Sequence, residues 1–161
     1  MQPKDSQPLP RSSASAWLTR PAIAHGLLLL LGLATWWSTL HSGVVNFDTP
    51  WMVLENPVLK EGGAPAIRTV LWDMSFAARS ALGAEYLPVR DLSVLLDMSL
   101  WPGNFFLHHL HSLLLYLGAC ALLLEVMAHL FGRGPRSWLA AAVFAVHPAQ
   151  VESVAWLVGR K

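Results

Sequence analysis

Two stretches of the sequence are apolar over the length that a helix needs to cross a bilayer. The first, 22–41, carries a run of leucines, and its only ionisable side chains are His25 and His41. The second, 104–131, is also rich in leucine and begins at Asn104, a residue type that caps helix N-termini. A helix of about 20 residues rises about 30 Å, the thickness of the hydrocarbon core. The pattern therefore predicts two membrane-spanning helices at these positions.

The first apolar stretch also has the position of a secretory signal peptide, which is the alternative interpretation. No small-residue pattern typical of a cleavage site follows it. The pair Trp36 and Trp37 is typical of side chains that anchor a span at the membrane interface. We therefore interpret this stretch as a first span that is retained in the mature protein.

The remaining apolar segments are shorter and interrupted. A run over 137–147 follows the basic turn 132–136 and predicts a third span. Prolines and glycines interrupt 42–103 and exclude one continuous helix in that loop. Apolar residues within 67–82 recur at helical spacing, which predicts an amphipathic helix that either lies on the membrane or packs into a small loop domain. A second loop helix is predicted over 89–100.

Composition agrees with a membrane protein. Hydrophobic residues make up 54% of the chain and charged residues 13%, an apolar balance that exceeds that of soluble domains. The net charge is +1 and the cations form no stripe, which excludes a nucleic-acid partner. The single cysteine, Cys120, excludes an internal disulfide. We predict an all-α integral membrane fold with about three transmembrane helices and an extracytoplasmic loop that contains the amphipathic helix.

Positive charge predicts the orientation of the spans. Residues 1–20 are rich in proline and serine and carry more basic than acidic residues, which predicts a disordered basic tail. This tail and the basic turn 132–136 fall on one side of the membrane, and the positive-inside rule makes that side cytoplasmic. The N-terminus is then cytoplasmic, and the loop 42–103 and the segment 147–161 are extracytoplasmic.

Two loop positions are candidates for chemistry. Asp48 follows the first span closely and is the best candidate for a catalytic base at the outer membrane face. The alternative is that Asp48 only stabilises the turn at Pro50. Arg90 can clamp a phosphate through paired hydrogen bonds. Its alternative is an ion pair with Asp91 or Asp97 that organises the loop.

The last residues form a second polar group. His147, Glu152, Arg160 and Lys161 follow the third apolar run directly. Polar groups at a membrane edge are costly, so they are usually functional. The two terminal cations run against the charge bias and mark either the start of a further span or a site for anions. The alternative is that these residues merely anchor a helix end at the interface.

A pair of histidines on the second span was considered as a metal or haem site. His108 and His111 lie three positions apart and so share a helix face. No cysteine or acid accompanies them in the sequence at a ligand spacing, so we expect hydrogen bonding at the interface and no metal site.

The chain beyond residue 20 resembles a known family. The resemblance is carried by Phe47-Asp48, by 54–57, by Tyr86-Leu-Pro-Val-Arg-Asp-Leu-Ser93, by Phe106 with His108, and above all by 144–161. These segments are similar to membrane proteins of bacteria and animals that have transmembrane and tetratricopeptide-repeat regions. That family is related to the protein O-mannosyltransferases of the glycosyltransferase C fold. Residues 21–161 then form part of a membrane glycosyltransferase region.

The resemblance implies transfer of a hexose, often mannose, from a polyprenyl-phosphate carrier in the membrane lipid to a hydroxyl of a protein acceptor. It implies Asp48 as the base and Arg90, Arg160 or Lys161 as the cation at the departing phosphate. His147 and Glu152 complete the predicted substrate-binding set. The reaction needs no cofactor, and a role for a divalent metal is left open.

The family resemblance also implies a location and a size. It places the chain in a membrane of the bacterial inner-membrane type, with transfer on the extracytoplasmic side. The family has many more spans, so we expect this chain to be an N-terminal fragment. The alternative is a non-enzymatic membrane module, or an inactive remnant, that needs partner spans.

Overall fold

Every regular element in the computed structural model is helical over the residues that it describes, which are 17–43, 50–157 and 159. The α-helices are α1 (Pro21–Trp36), α2 (Pro57–Glu61), α3 (Gly63–Trp72), α4 (Phe76–Ala81), α5 (Pro88–Leu100), α6 (Phe105–Phe131), α7 (Pro135–Val146) and α8 (Val151–Ala155). Shorter helical turns are the 3-10 segments Trp37–His41 and Pro148–Gln150 and the π-helical turn Pro50–Leu54. The predicted all-α class is confirmed for this part of the chain, whereas most of the tail 1–20 lies outside it.

Two helical stretches are long and apolar enough to cross a membrane. They are Pro21–His41, in which the 3-10 turn extends α1 to 21 residues, and the 27-residue α6. Both lie where the sequence predicted spans. Asn104 caps α6 as expected, because its side-chain oxygen accepts a hydrogen bond from the Leu107 N–H at 3.3 Å.

The two long helices and α7 form a bundle. His25 Nε2 at the start of α1 lies 3.2 Å from Glu125 Oε1 near the end of α6, so the two helices are antiparallel. At the same end of the bundle, Trp138 of α7 donates its indole N–H to the Ala24 carbonyl at 3.0 Å. The start of α1, the end of α6 and the turn into α7 therefore share one end of the bundle.

The third apolar run is shorter than a span. Its helix, α7, has 12 residues and so rises about 18 Å, against about 30 Å for the hydrocarbon core. It ends at His147, whose extended backbone (φ −67°, ψ 130°) is the conformation favoured before proline. The predicted span at 137–147 is thus a short apolar helix followed by a break. Within the described residues, two helices have the length of a span.

The loop between the spans folds into a unit with its own core. Residues 50–100, called the loop unit below, contain α2 to α5. Their buried apolar side chains form a cluster separate from the bundle core: Val53, Val58, Leu59, Ala66, Val70, Leu82, Val94 and Leu95. Trp156, which follows α8, packs against this cluster. The terminal segment is therefore joined to the loop unit as well as to the bundle.

The predicted amphipathic helix over 67–82 is broken into α3 and α4. The Asp73 carboxylate accepts a hydrogen bond from the Ser75 N–H at 2.9 Å, which turns the chain. The Ser75 hydroxyl then accepts from the Ala78 N–H at 3.3 Å and caps α4. The prediction of one helix was wrong because these two local caps compete with helix continuation. The second loop helix, expected over 89–100, is confirmed as α5.

Helix α5 runs back along α6. His111 Nδ1 of α6 lies 2.5 Å from Asp97 Oδ1 of α5, and His108 Nε2 lies 3.0 Å from the Trp101 carbonyl oxygen. These contacts pair the end of α5 with the start of α6 in an antiparallel arrangement. The start of α5, at Pro88, therefore lies near the middle of α6. Helix α5 of the loop unit thus lies beside the first half of α6.

Gly32 marks a close approach of α1 to α6. A Cβ atom at this position would lie 2.7 Å from Leu117 Cδ2. We expect Gly32→Val to destabilise the protein by about 1–3 kcal/mol, because the added methyl groups overpack the contact. The measurement is chemical unfolding in detergent. Gly26→Val on the same helix is the control, since a Cβ there meets nothing within 4 Å. Equal stabilities of the two variants would contradict a tight contact at Gly32.

Candidate functional site

A groove of about 420 Å³ lies between the loop unit and the bundle. The loop unit contributes one wall, consisting of residues 86–90 and Ser93. Helix α6 contributes Ser112, Leu115, Tyr116 and Ala119, and the remaining wall consists of Phe144, Gln150 and Ser153. The four α6 positions follow the i, i+3, i+4, i+7 spacing of one helix face. The groove is mainly apolar, with a few hydroxyl and amide groups, as is typical of pockets for small ligands.

The groove lies at the point where α7 breaks. The last carbonyls of a helix have no partner within that helix. Here the Tyr116 hydroxyl donates to the Phe144 and Ala145 carbonyls, at 3.0 and 3.2 Å, and the Trp36 indole N–H donates to the Ala145 carbonyl at 2.8 Å. Tyr116 is the twelfth of the 27 residues of α6, so the break lies about halfway along that helix.

Two aromatic contacts hold Tyr116 in place. Its ring stacks on Phe144 with centroids 6.0 Å apart and meets the Trp36 ring edge-on at 6.2 Å. Such pairs favour offset-stacked and edge-to-face geometry. The end of α7 is therefore held by side chains from both long helices. The irregular backbone that follows α7 lies between two residues that line the groove, Phe144 and Gln150.

Arg90 lies in the groove wall but is already paired. Its guanidinium is buried and contacts Asp91 Oδ1 through Nε at 2.8 Å and through Nη2 at 2.7 Å. Nη2 also donates to the Leu82 carbonyl at 2.7 Å, and Nη1 lies 3.6 Å from Glu85 Oε2. Burial raises the pKa of Asp91 although Arg90 opposes that shift. Of the two roles considered for Arg90, the structure contains the ion pair with Asp91.

The other residues predicted for the site are placed as follows. His147 is exposed at the break after α7, where its Nδ1 accepts a hydrogen bond from the Ala149 N–H at 3.1 Å. Glu152 is exposed in the first turn of α8. Both flank the groove residues Gln150 and Ser153 in sequence, but neither lines the groove. Asp48, Arg160 and Lys161 lie outside the described residues.

Three histidines at the N-terminal end of α6, His108, His109 and His111, take part in packing contacts. His108 and His109 are buried, and His109 Nε2 lies 3.0 Å from the Gly43 carbonyl oxygen. The sequence suggested no acid near His111, but the fold brings Asp97 to it. No group of three or more His, Cys, Asp or Glu residues is arranged to hold a metal in the part of the chain that the structure describes.

Four polar residues of the groove were not singled out from the sequence. They are Ser112, Tyr116, Gln150 and Ser153. A polar signal was present for Tyr116, because it interrupts the leucine run of α6. Its hydroxyl needs a hydrogen-bond partner when buried. The partner lies 28 positions away, at Phe144, and so does not show in the local pattern.

Comparison with protein-family models, with curated proteins and with solved structures finds no match to this chain. The function proposed below therefore depends on the geometry of the groove and on the sequence segments that carry the resemblance.

Proposed function

We propose that the chain is part of an integral membrane glycosyltransferase that uses a polyprenyl-phosphate sugar. The observation that carries the proposal is the mainly apolar groove between α6 and the loop unit. The groove lies where α7 breaks, about halfway along α6, which is long enough to span a membrane. In secondary transporters, broken helices near the middle of the membrane form the substrate site. The apolar walls suit the isoprenoid chain of the donor, and the few polar side chains of the groove suit its head group.

The chemistry assigns separate tasks to the acid and the cations. Asp48 accepts the proton of the acceptor hydroxyl as the bond from the sugar to the carrier phosphate breaks. The departing phosphate gains charge and needs a cation. Arg90 already neutralises Asp91, so we assign it to positioning the groove wall. Arg160 and Lys161 remain as the cations for the phosphate, and His147 with Glu152 borders the acceptor side.

The proposed placement follows from the charges at one end of the bundle. Arg133 lies in the turn after α6, and Arg136 is the second residue of α7, at the end of the bundle where α1 begins. The positive-inside rule makes this end cytoplasmic, which puts the N-terminus inside. The loop unit then lies on the extracytoplasmic side, where the protein acceptor arrives. We propose an inner membrane of the bacterial type as its location.

Photo-crosslinking tests whether the groove binds the donor. A polyprenyl phosphate that carries a photoreactive isoprene unit is added to the reconstituted protein, and the labelled residues are mapped. We expect labels on groove residues such as Leu115. Ala119→Trp is expected to reduce labelling about tenfold, because the indole fills the apolar walls and removes about 1.4 kcal/mol of binding.

The matched control is Leu122→Trp, which adds the same ring to an exposed position on the next turn of α6. Its labelling should equal that of the wild type. If Ala119→Trp and Leu122→Trp are labelled equally, the groove does not hold the carrier. The alternative of a membrane module without enzymatic activity would then be favoured.

A further inference from the structure

The corner between α3 and α4 exposes three large apolar side chains. Trp72 is 70% exposed, Met74 59% and Phe76 88%. Trp72 is the last residue of α3 and Phe76 is the first residue of α4, and the non-helical residues Asp73, Met74 and Ser75 join the two helices. A folded protein rarely leaves such a group of neighbouring apolar side chains in water without a partner.

The corner is held rigid with its apolar side chains pointing outward. Asp73 and Ser75 use their polar groups for the turn and the cap described above. Arg79 of α4 fastens the two helices together, because its Nη2 donates to the Thr69 carbonyl at 2.9 Å and its guanidinium lies 5.4 Å from the Tyr86 ring centroid. The exposure of the corner is therefore a property of the folded loop unit.

Tyr86 connects the corner to the groove beside the middle of α6. The Tyr86 hydroxyl donates to the Leu71 carbonyl, one residue before Trp72, at 3.0 Å. Tyr86 also lines the groove with Leu115 and Ala119, about halfway along α6. Leu114 and Leu115 of α6 are themselves exposed apolar side chains. Through Tyr86, the corner is connected to the part of α6 that exposes apolar side chains.

We propose that Trp72, Met74 and Phe76 insert into the outer leaflet of the bilayer that α1 and α6 cross. The occupant of this surface is lipid, because Tyr86 connects the corner to the level of α6 at which the apolar side chain of Leu114 is exposed. Insertion stops at the interface, since the carboxylate of Asp73 is costly in hydrocarbon and tryptophan prefers the interfacial layer. The loop unit is then fixed to the membrane surface beside the groove. This inference rests on the membrane placement in the proposed function and is independent of the transfer chemistry.

Fluorescence quenching in vesicles tests the insertion. Cys120→Ala removes the native cysteine, and Phe76→Cys or Met74→Cys is labelled with a nitrobenzoxadiazole dye in the full chain. The protein is reconstituted in phosphatidylcholine vesicles that contain either brominated acyl chains or external iodide. We expect quenching by brominated lipid to be at least about twofold stronger at positions 76 and 74 than at Glu61→Cys, an exposed site elsewhere in the loop unit.

A label at Leu30→Cys, on the exposed face of α1, reports membrane placement separately. Quenching by brominated lipid at both 30 and 76 supports the inference. If 30 is quenched by lipid and 76 by iodide, the corner lies in water and the inference is wrong. If neither agent quenches 76, a protein surface or a second copy covers the corner, which also overturns it. If 30 is not quenched by lipid, the membrane placement itself fails.

Discussion

Replacing Arg90 with leucine is expected to destabilise the protein by about 3–5 kcal/mol, the usual cost of leaving one member of a buried ion pair without its partner. Asp91 is almost fully buried, and Arg90 supplies its salt bridge. The same substitution removes the hydrogen bond to the Leu82 carbonyl that ties α5 to the end of α4. Chemical unfolding in detergent measures the effect.

Two comparison variants make the Arg90 result specific. Arg133→Leu removes an arginine that pairs with Glu125 in an exposed position, and it should cost much less. The double variant Arg90→Leu with Asp91→Leu should recover part of the loss, because it leaves no uncompensated charge. If Arg90→Leu is no more destabilising than Arg133→Leu, the buried pair does not hold the groove wall.

The Arg90 variant should also depend on pH in a defined direction. Burial raises the pKa of Asp91 in the folded state above its usual value. A group with a raised pKa binds a proton more tightly when folded, so its contribution to stability is present at low pH and is lost as pH rises through that pKa. Without the guanidinium the pKa rises further. The loss of unfolding free energy caused by Arg90→Leu should therefore be smaller in acid and larger toward neutral pH.

Replacing Asp48 with asparagine is expected to lower sugar transfer by about 10²- to 10⁴-fold, the usual contribution of a general base. Asparagine keeps the size of the side chain but cannot accept the proton of the acceptor hydroxyl. The measurement is transfer of labelled hexose from a polyprenyl-phosphate donor to a serine- and threonine-containing peptide, in membranes from cells that express each variant. The level of the variant in those membranes should equal that of the wild type.

Glu61→Gln provides the matched control for Asp48→Asn. It removes an exposed carboxylate from the loop unit, away from the groove residues, and should leave transfer unchanged. Wild-type transfer by Asp48→Asn would show that another group is the base. If the wild-type protein itself transfers no sugar from any polyprenyl-phosphate donor, the glycosyltransferase proposal fails for this chain.

Parts of the candidate site were predictable because their signals are local. The sequence predicted a functional role for Arg90, and the structure places Arg90 in the groove wall. The terminal segment was selected for its polar residues after an apolar run, and Gln150 and Ser153 reach the groove while His147 and Glu152 do not. The sequence pointed to His147 and Glu152, which do not line the groove. Sequence spacing does not show which side of the broken segment after α7 faces the loop unit.

The sequence by itself determined the helical class, the positions of the two long apolar helices and several of their ends. Asn104 caps α6, Pro88 begins α5 and Pro148 ends α7, because caps and prolines act on the backbone within a few residues. Tertiary structure alone decided where the groove lies. It depends on Trp36 reaching Ala145, 109 positions away, and on Asp97 reaching His111. Contacts between distant residues depend on how whole helices pack, and a local pattern does not contain that information.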